Sequence, residues 1–383
     1  MPAPPEFSHA ELIRYSRHLV LPQVGLEGQS RLRHARVLLV GAGGLGSPAA
    51  LYLVAAGVGT VGLVDSDVVD PSNLQRQVLH GTGMVGVSKL ASARARLADL
   101  NPHVQLETIE TRLTAANGLE ILRGWDLVLD GSDNFPTRYL VNDACVLLGI
   151  PNVYGAVLRF DGQVSVFDAT RGPCYRCLYR EPPPPELVPS CAEGGVLGVL
   201  PGVIGSLQAL EAIKLVTGAG TPLIGRLLLF DGLKLRFREI ELSRDPDCAV
   251  CGPHPTVKGL VDYEAFCGVG ARVEGKEAVM EIRATELRAA RAHNPSLLLL
   301  DVREPFEWGI AHIEGARLIP LGELPARVRE LDGHAEIVTY CHHGVRSRNA
   351  VEILRAAGFP DVRSLAGGID AWSTEVDRGI ARY

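Results

Sequence analysis

Residues 37–47, which read Val-Leu-Leu-Val-Gly-Ala-Gly-Gly-Leu-Gly-Ser, decide the fold of the first part of this 383-residue chain. The four apolar residues predict a buried strand, and the glycine-rich turn after them opens a helical pattern. Glycines at Gly41, Gly43 and Gly46 permit a tight turn, close approach of backbone N–H groups to a phosphate, and close packing of helix on strand. The stretch therefore predicts a strand, a phosphate-binding loop and a helix N-terminus, although a structural turn without a ligand has the same pattern.

Strands and helices alternate from this loop to about residue 150. Thr60–Val64 predicts a second strand, which ends at Asp65, 19 positions beyond Gly46. In βαβ units of this kind an acidic residue at that place binds the ribose hydroxyls. Leu90–Leu100 predicts a helix and Asp126–Asp130 a further buried strand. The alternation predicts an α/β fold with a doubly wound, mostly parallel, Rossmann-like sheet.

The pattern changes after residue 150. Tyr154–Phe167 alternates and predicts an antiparallel hairpin with Asp161-Gly162 at its turn, so we expect a mixed sheet. The proline-rich stretch Arg180–Pro189 predicts a loop. Leu227–Phe230 and Leu235–Ile240 predict closing strands. We expect a first domain over residues 1–255, a linker over residues 256–276 with glycines and mixed charge, and a second, smaller α/β domain over residues 277–383.

Composition excludes some classes of function. The net charge of −6 gives no general footprint for nucleic acid or for an anionic membrane, and a hydrophobic content of 46% supports substantial cores. Residues 1–8 are proline-rich without the features of an export signal, which predicts a short disordered lead-in. The apolar stretch Val196–Leu210 is broken by glycine and proline and is too short to span a bilayer. We therefore expect a cytoplasmic protein without nucleic-acid or membrane partners.

A polar cluster follows the glycine-rich loop. It runs from Asp70 to Gln77 and is followed by Lys89. Cationic Arg76 and Lys89 near a phosphate loop can neutralise the charge of a triphosphate and of the pyrophosphate that leaves. A hydride-transfer cofactor does not need this neutralisation. The cluster therefore favours ATP. Asp133, at a predicted strand end, is a candidate ligand of Mg²⁺, supported by Asn134.

Four of the eight cysteines form two C-x-x-C pairs, Cys174 with Cys177 and Cys248 with Cys251. In a chain without an export signal such pairs indicate metal ligands rather than disulfides. Four thiolates make a closed tetrahedral site, which predicts a structural Zn²⁺. The alternative is a redox pair, which seldom occurs doubled.

The residues of the first part resemble a known family. Its motifs are Gly41–Gly46, Asp65-Ser66-Asp67, Ser72-Asn73-Leu74-Gln75-Arg76, Lys89, Asp133-Asn134, Cys174-Tyr175-Arg176-Cys177 and Gly202–Gln208. They resemble the adenylyltransferases of molybdopterin-synthase activation and thiamine biosynthesis, which are prokaryotic relatives of ubiquitin-activating enzymes. The resemblance covers about residues 14–251.

The resemblance implies an activity and a set of site residues. The family joins the C-terminal glycine carboxylate of a ubiquitin-like protein to AMP and releases pyrophosphate, so positioning and charge neutralisation suffice and no covalent residue is needed. It implies that Arg17 reaches the phosphates of a neighbouring subunit, and hence a homodimer. The residues implied at ATP or its metal are Gly41, Gly43, Gly44, Gly46, Asp65, Ser72, Asn73, Gln75, Arg76, Lys89, Asp133 and Asn134.

The second domain is centred on residues 341–347, Cys-His-His-Gly-Val-Arg-Ser, between a predicted strand and helix. Backbone N–H groups of such a loop make an anionic pocket that lowers a cysteine pKa. Cysteine-based phosphatases place five residues between Cys and Arg, whereas four lie between Cys341 and Arg346 here, and the smaller loop suits a persulfide. With Asp301–Glu304, His312–Ala316 and Ala366–Gly368, the domain resembles the rhodanese sulfurtransferases. The resemblance implies that Cys341 carries the sulfane sulfur, with Arg346 as a further catalytic residue.

The remaining cysteines have different contexts. Cys191 follows the proline-rich loop and matches the conjugating or sulfur-handling cysteine of related enzymes, so we expect it to be catalytic. It either resolves an acyl disulfide or first takes the acyl group as a thioester. Cys145 lies in a helical pattern and is expected in the core. Cys267 stays unassigned.

The order of the two domains resembles the adenylyltransferase–sulfurtransferases that make a C-terminal thiocarboxylate on a ubiquitin-like sulfur carrier. The expected partners are a carrier that ends in Gly-Gly and a sulfur donor, either thiosulfate or a cysteine desulfurase persulfide. The expected cofactors are ATP, Mg²⁺ and Zn²⁺. The pathway stays open among molybdenum-cofactor, thiamine and cysteine synthesis and tRNA thiolation. Two alternatives are a nicotinamide-dependent oxidoreductase on the same fold and a non-catalytic scaffold for a ubiquitin-like partner.

Overall fold

The apolar runs of the sequence form the strands of two separate sheets. A computed structural model describes residues 7–183, 195–268 and 281–382. The chain divides into two units, Met1–Gly270 and Ala271–Tyr383, and each is described by itself.

The first unit is built on an eight-stranded sheet with the order β3-β2-β1-β4-β5-β6-β7-β8. Strands β1 to β5 are parallel, and β5 to β8 pair antiparallel. The mixed, parallel-rich sheet expected from the sequence is thus confirmed. The strands are β1 Arg36–Val40, β2 Thr60–Asp65, β3 Gln105–Glu110, β4 Leu127–Asp130, β5 Asn152–Leu158, β6 Asp161–Phe167, β7 Arg226–Asp231 and β8 Arg236–Glu241.

Helices cover the sheet. Those of the first unit are α1 His9–Arg14, α2 Ser16–Leu19, α3 Gly25–His34, α4 Gly46–Ala56, α5 Lys89–Leu100, α6 Gly118–Leu122, α7 Phe135–Leu148, α8 Tyr175–Leu178, α9 Val199–Thr217 and α10 Tyr263–Phe266. Glycines in the left-handed conformation end α4, α7 and α9 at Gly57, Gly149 and Gly218.

The strand order changes direction at β1. Because β2 and β3 lie on one side of β1 and β4 and β5 on the other, the loops after β1 and β4 leave the sheet in opposite directions. Val40 pairs with both Val64 and Asp130, so the three strands end together. Ligands of open α/β sheets bind at such a switch point.

The hairpin turn lies before the position that the sequence predicts. Residues 159 and 160 make the turn, with Arg159 in the left-handed region at φ 54°. Asp161 and Gly162 instead open β6 and pair with Leu158 and Val157. The glycine serves packing, because a Cβ at Gly162 would lie 2.4 Å from Ile204 Cδ1 of α9.

Helix α9 is the one described helix that is long and apolar enough to cross a membrane by length and composition. It packs against α4, β5 and β6. Buried Gln208 donates from Nε2 to the carbonyl oxygens of Asp130 (2.8 Å) and Val153 (3.0 Å). These contacts are those of a core helix of a sheet protein.

Helix α10 lies inside the range predicted as a linker. Tyr263 and Cys267 are buried in the core around α7. The chain is therefore part of the first unit to Cys267, and the predicted linker differs from the structure over this segment.

The second unit has a parallel five-stranded sheet of order β11-β10-β12-β13-β9. Its strands are β9 Glu281–Ile282, β10 Leu298–Asp301, β11 Arg317–Leu318, β12 Ile337–Tyr340 and β13 Val362–Leu365. Its helices are α11 Ala284–His293, α12 Pro305–Ile310, α13 Leu324–Arg327, α14 Val345–Ala356 and α15 Gly368–Glu375. Two apolar cores fill the two faces of this sheet.

Candidate functional site

The loop after β1 has a backbone that requires glycine at two positions. Gly41 has φ 95°, and a Cβ at Gly46 would lie 2.0 Å from the Gly41 carbonyl oxygen. A Cβ at Gly43 would meet no atom closer than Gln77 Nε2 at 3.7 Å. Backbone conformation therefore explains Gly41 and packing explains Gly46, whereas Gly43 leaves open space beside the backbone, as a phosphate requires.

Asp65 ties the glycine-rich loop to the end of β2. Its Oδ2 accepts the backbone N–H of Ala42 (2.8 Å) and its Oδ1 accepts that of Asp67 (2.9 Å). The carboxylate is half-buried at the edge of the sheet, and each oxygen keeps a further lone pair. The predicted ribose-binding residue thus lies beside the predicted phosphate loop.

Arg76 reaches the glycine-rich loop from the polar cluster. Its Cγ lies 3.6 Å from a Cβ placed on Gly44. Its Nη1 donates to the Ser72 carbonyl oxygen (3.0 Å) and its Nη2 to Asn73 Oδ1 (2.9 Å). Because both partners are uncharged, the guanidinium charge is not neutralised by them and can be directed at a phosphate.

Short-range hydrogen bonds shape the cluster itself. Ser72 donates from its backbone N–H (2.8 Å) and its Oγ (2.5 Å) to Asp70 Oδ1. Gln75 contacts the start of α9, where a Cβ on Gly198 would lie 2.0 Å from the Gln75 carbonyl oxygen. Of the predicted ATP residues, Ser72, Asn73, Gln75 and Arg76 thus lie in one short segment, of which Arg76 approaches the glycine-rich loop.

Lys89 begins α5 with its side chain 7% exposed. Its Nζ lies 2.8 Å from Oδ2 of Asp67, whose own side chain is 66% exposed. The buried lysine is thus held by the exposed carboxylate of Asp67, which lies two residues after Asp65.

His80 is a supporting residue that the sequence did not single out. Its Nε2 lies 3.0 Å from the Ala42 carbonyl oxygen and its Nδ1 3.0 Å from Ser92 Oγ. Burial lowers the pKa of His80, and the nearby Lys89 ammonium lowers it further. The neutral ring therefore links the glycine-rich loop to α5; a lone histidine without a motif gave no signal for this role.

The loop after β4 lies against the glycine-rich loop, since a Cβ on Gly41 would be 3.2 Å from the Gly131 carbonyl oxygen. Asp133 and Asn134 are exposed there. Asn134 is the N-cap of α7, with Oδ1 accepting the Thr137 N–H (3.0 Å), and its Nδ2 lies 3.4 Å from Asp133 Oδ1. The cap supports the position of the Asp133 carboxylate.

Two buried residues behind this loop were missed by sequence reasoning. Asp130 Oδ1 accepts the backbone N–H (2.9 Å) and Oγ (2.5 Å) of Ser132, and burial raises the pKa of Asp130. Arg138 donates from Nη2 to the Ser132 carbonyl oxygen (3.1 Å) and from Nη1 to the Tyr154 hydroxyl (3.0 Å). They fix the turn from which Asp133 projects. Sequence reasoning named Asp130 only as the end of a strand and did not name Arg138.

Arg17 lies on the exposed side of α2. Its predicted contact is with a neighbouring subunit, and that contact stays a prediction.

The two C-x-x-C pairs come together although 74 positions separate corresponding members. Cys174 Sγ lies 3.6 Å from Cys248 Sγ, and Cys177 Sγ lies 3.3 Å from Cys251 Sγ. All four sulfur atoms are within 4.8 Å of one another. Four sulfurs at 2.3 Å from a tetrahedral Zn²⁺ are about 3.8 Å apart, so the cluster has the size of a Cys₄ zinc site.

Three cysteines of the first unit lie outside the four-sulfur cluster, and the structure describes two of them. Cys145 is buried in α7, and burial raises the pKa of its thiol, which matches the expected core position. Cys267 is also buried, and burial raises its pKa to about 11. Neither thiol is set up as a nucleophile. Cys191 lies outside the described residues, and its catalytic role stays a prediction.

Cys341 follows β12 and is buried at the start of the loop that leads into α14. The Gly344 backbone N–H lies 3.1 Å from Cys341 Sγ, and Ser347 Oγ lies 3.6 Å from it. A Cβ on Gly368 would come within 2.4 Å of the Cys341 carbonyl oxygen, so glycine at this position is needed for the cysteine loop to pack. A thiolate or persulfide is stabilised by the N–H and by the helix N-terminus.

Two pairs of residues support this loop. Arg346 donates two hydrogen bonds to Glu307 of α12, at 2.6 and 2.7 Å. His342 and His343 stack with ring centroids 4.0 Å apart. Burial, followed by the charge of His343, lowers the pKa of His342 to about 4. Glu307 was not identified from the sequence, because its partner lies 39 positions away.

The two units define a class of protein. One has a Rossmann-like sheet with a glycine-rich loop at its switch point, and the other has a buried cysteine before a helix N-terminus. Residues 15–250 match the ThiF family and residues 283–375 match the rhodanese-like domain. The chain belongs to the ThiF family and carries a C-terminal rhodanese-like domain.

Similar proteins cover either the whole chain or its first part. The chain is 49% identical over 383 residues to the probable adenylyltransferase/sulfurtransferase MoeZ of Mycobacterium tuberculosis, covering 98% of this chain and 96% of that protein. It is 60% identical over 264 residues to the sulfur carrier protein adenylyltransferase of Thermus thermophilus, covering 68% and 97%. The E. coli MccB structure has a TM-score of 0.56 at 21% identity, covering 63% of this chain and 73% of that one, and at this identity it shows the fold alone. The family does not favour a nicotinamide-dependent oxidoreductase, and both matched domains are catalytic types.

Proposed function

We propose that this enzyme adenylates the C-terminal glycine of a ubiquitin-like sulfur carrier and then converts the adenylate to a thiocarboxylate with sulfur from Cys341. The carrier is expected to end in Gly-Gly. The observation that carries the proposal is the placement of Arg76 against Gly44, which directs a cation at a glycine-rich loop at the switch point of the sheet. Relatives at 49% and 60% identity are named adenylyltransferases, one of them also a sulfurtransferase.

In the adenylation step a carboxylate oxygen of the carrier attacks the α-phosphorus of ATP, and pyrophosphate leaves. Negative charge grows on the leaving group, so fixed cations stabilise the transition state more than the ground state. Arg76 and Lys89 supply these charges. In this structure Arg76 contacts the Asn73 amide oxygen and Lys89 contacts the exposed carboxylate of Asp67. A phosphate can replace either of these groups.

Asp133 would hold Mg²⁺ on the phosphates. It is an exposed carboxylate on a loop that contacts the glycine-rich loop, and oxygen ligands of this kind suit the ion. A bound Mg²⁺ neutralises phosphate charge. Asn134 holds the carboxylate from the side while it caps α7.

In the sulfur step the terminal sulfur of the Cys341 persulfide attacks the acyl carbonyl and AMP leaves. The product is an acyl disulfide between the carrier and Cys341. Attack by a second thiolate on the Cys341 sulfur releases the carrier thiocarboxylate and leaves a disulfide on the enzyme, which a thiol reductant must reduce. Cys191 is the proposed second thiol; alternatively it accepts the acyl group first as a thioester.

The remaining features of the proposal concern assembly and setting. Cys174, Cys177, Cys248 and Cys251 would hold a structural Zn²⁺, because a closed Cys₄ site has no position for substrate. We further propose a cytoplasmic homodimer in which Arg17 reaches the neighbouring subunit's phosphates. The sulfur donor is either thiosulfate or a cysteine desulfurase persulfide, and the pathway is molybdenum-cofactor synthesis, thiamine synthesis or a related sulfur pathway.

ATP–pyrophosphate exchange with candidate carriers tests the adenylation site. We expect Arg76→Ala to lower the exchange rate by at least about 100-fold, since one oxyanion-stabilising group contributes about this factor. Arg96→Ala is the control, because Arg96 is 57% exposed and pairs only weakly with Asp99 at 3.7 Å. Equal rates for both variants would place the phosphate site elsewhere.

A further inference from the structure

We propose that His80 is a positioning residue of the adenylation site, which holds the Ala42–Gly43 peptide in the orientation that presents the Gly43 N–H to a phosphate of ATP. His80 itself does not touch the nucleotide and acts through the backbone of the glycine-rich loop. The inference rests on the proposed binding of ATP at that loop.

The hydrogen bond between His80 and Ala42 has a fixed direction. A carbonyl oxygen can only accept, so the ring nitrogen that lies 3.0 Å from it, Nε2, carries a proton. In the neutral ring Nδ1 is then an acceptor, and Ser92 Oγ lies 3.0 Å away and can donate to it. The carbonyl and the serine together select the ring tautomer that is protonated at Nε2.

This bond orients the peptide group that follows Ala42. The Ala42–Gly43 peptide is trans, so its C=O and its N–H point in opposite directions. Because the C=O points at the buried His80 ring, the Gly43 N–H points away from that ring. If the peptide turned over, the carbonyl oxygen would take the place of the N–H, and its negative end would repel a phosphate.

Ala42 is also held on its other side. Its own N–H donates to Asp65 Oδ2 at 2.8 Å. Both polar groups of Ala42 are therefore bonded to neighbouring parts of the first unit, one to the end of β2 and the other to the segment before α5. The residue is a fixed point from which the rest of the loop extends.

The N–H groups beyond this fixed point are available to a ligand. No acceptor among the described residues takes the backbone N–H of Gly43, Gly44 or Leu45. The space beside Gly43 is open, with Gln77 Nε2 as the nearest atom to a Cβ placed there, at 3.7 Å. Consecutive unpaired N–H groups in front of a helix bind anions. His80 therefore fixes the first donor of this series.

Two amide substitutions separate the two ring nitrogens. In His80→Gln the side-chain amide reaches about as far as Nε2 and can still donate to the Ala42 carbonyl oxygen. In His80→Asn the amide reaches only about as far as Nδ1, so it meets Ser92 but not Ala42. The two variants are matched in polarity and differ in whether the peptide is held.

The test measures nucleotide binding to the full-length enzyme by equilibrium dialysis, with ATP and Mg²⁺ and separately with adenosine. We expect His80→Asn to weaken ATP binding about 10-fold, which is the contribution of one hydrogen bond to a charged group. Adenosine has no phosphate, so its affinity should stay unchanged. His80→Gln should restore most of the affinity for ATP.

Three results would overturn the inference while the proposed function stands. They are wild-type affinity for ATP in His80→Asn, equal losses in the Asn and Gln variants, and equal losses for ATP and adenosine. The last result would mean that His80 supports the whole site rather than one peptide. A wild-type enzyme that does not bind ATP would overturn the proposed function and this inference with it.

A measurement on the wild-type enzyme applies even if His80→Asn does not fold. Isotope labelling of the histidine ring nitrogens shows by NMR which nitrogen of each ring is protonated. The His80 ring is identified as the one whose signals change in Ser92→Ala. We expect a neutral ring with its proton on Nε2, and a ring that lacks this proton would overturn the inference.

Discussion

Arg346 and Glu307 form a two-bond ion pair, with Nη1 2.6 Å from Oε2 and Nη2 2.7 Å from Oε1. The pair joins the first turn of α14, which follows Cys341, to α12. Glu307 also accepts the backbone N–H of Glu304 as part of a capping box. Arg346 therefore holds the cysteine loop against a neighbouring helix, in addition to the catalytic role that the family resemblance implies for it.

Breaking this pair should destabilise the second unit. The Glu307 side chain is only 6% exposed, so Arg346→Leu leaves a buried carboxylate without its main partner and should lower the unfolding free energy by about 2–4 kcal/mol. Arg327→Leu is the matched control, because Arg327 pairs with Glu323 and Glu330 at the surface and its loss should lower the unfolding free energy much less. Pulsed hydrogen exchange of β12 across a urea series measures both. Similar losses in the two variants would contradict the assignment.

His342 should make the second unit sensitive to mild acid. Its pKa is about 4 in the folded chain, against about 6.5 when unfolded, and the groups that face it include His343, Asp370, Glu307 and Arg303. The unfolded chain thus binds more protons between these values, so stability falls as pH decreases from 6.5 towards 4, by about 2–3 kcal/mol.

The variant His342→Asn lacks this titration. Urea unfolding of β12 at pH 7 and pH 5 should therefore show a larger loss of stability in the wild type than in the variant. If both lose stability equally, other groups account for the acid sensitivity.

The cysteine cluster should hold one zinc per chain. Elemental analysis of the purified protein should find it, and Cys177→Ser should lose the metal and lower the thermal midpoint, since binding of a structural metal is linked to folding. Cys145→Ala is the control, because this buried cysteine lies outside the cluster and should keep the metal. Absence of metal together with disulfides in both C-x-x-C pairs would support a redox function.

Strong apolar runs made most of the fold predictable. β2 begins at Thr60, as the sequence predicts, because buried parallel strands are continuous apolar segments. The cysteine spacing likewise predicted a four-sulfur cluster that the structure brings together. A local sequence pattern is enough to predict a single strand, or a site whose ligands are all cysteines.

Long-range partners were not predictable. Tyr263 and Phe266 lie in a segment without periodicity, and their burial depends on Asp143 and Tyr139, more than a hundred positions earlier. The turn at Asp161-Gly162 was predicted wrongly, because its glycine accommodates Ile204 rather than a turn conformation. A single sequence shows which residues are unusual but not which distant side chain each one meets.

The mass of the carrier protein tests the central claim most directly. A candidate carrier ending in Gly-Gly is incubated with the enzyme, ATP and a sulfur donor, and its intact mass is measured. We expect one oxygen to be replaced by sulfur, with no such change when Cys341→Ala replaces the wild type, although that variant still catalyses ATP–pyrophosphate exchange. Two results would contradict the claim that adenylation and sulfur transfer occur at separate sites. One is a carrier that gains sulfur at the wild-type rate with Cys341→Ala, and the other is a folded Cys341→Ala variant that has lost both activities.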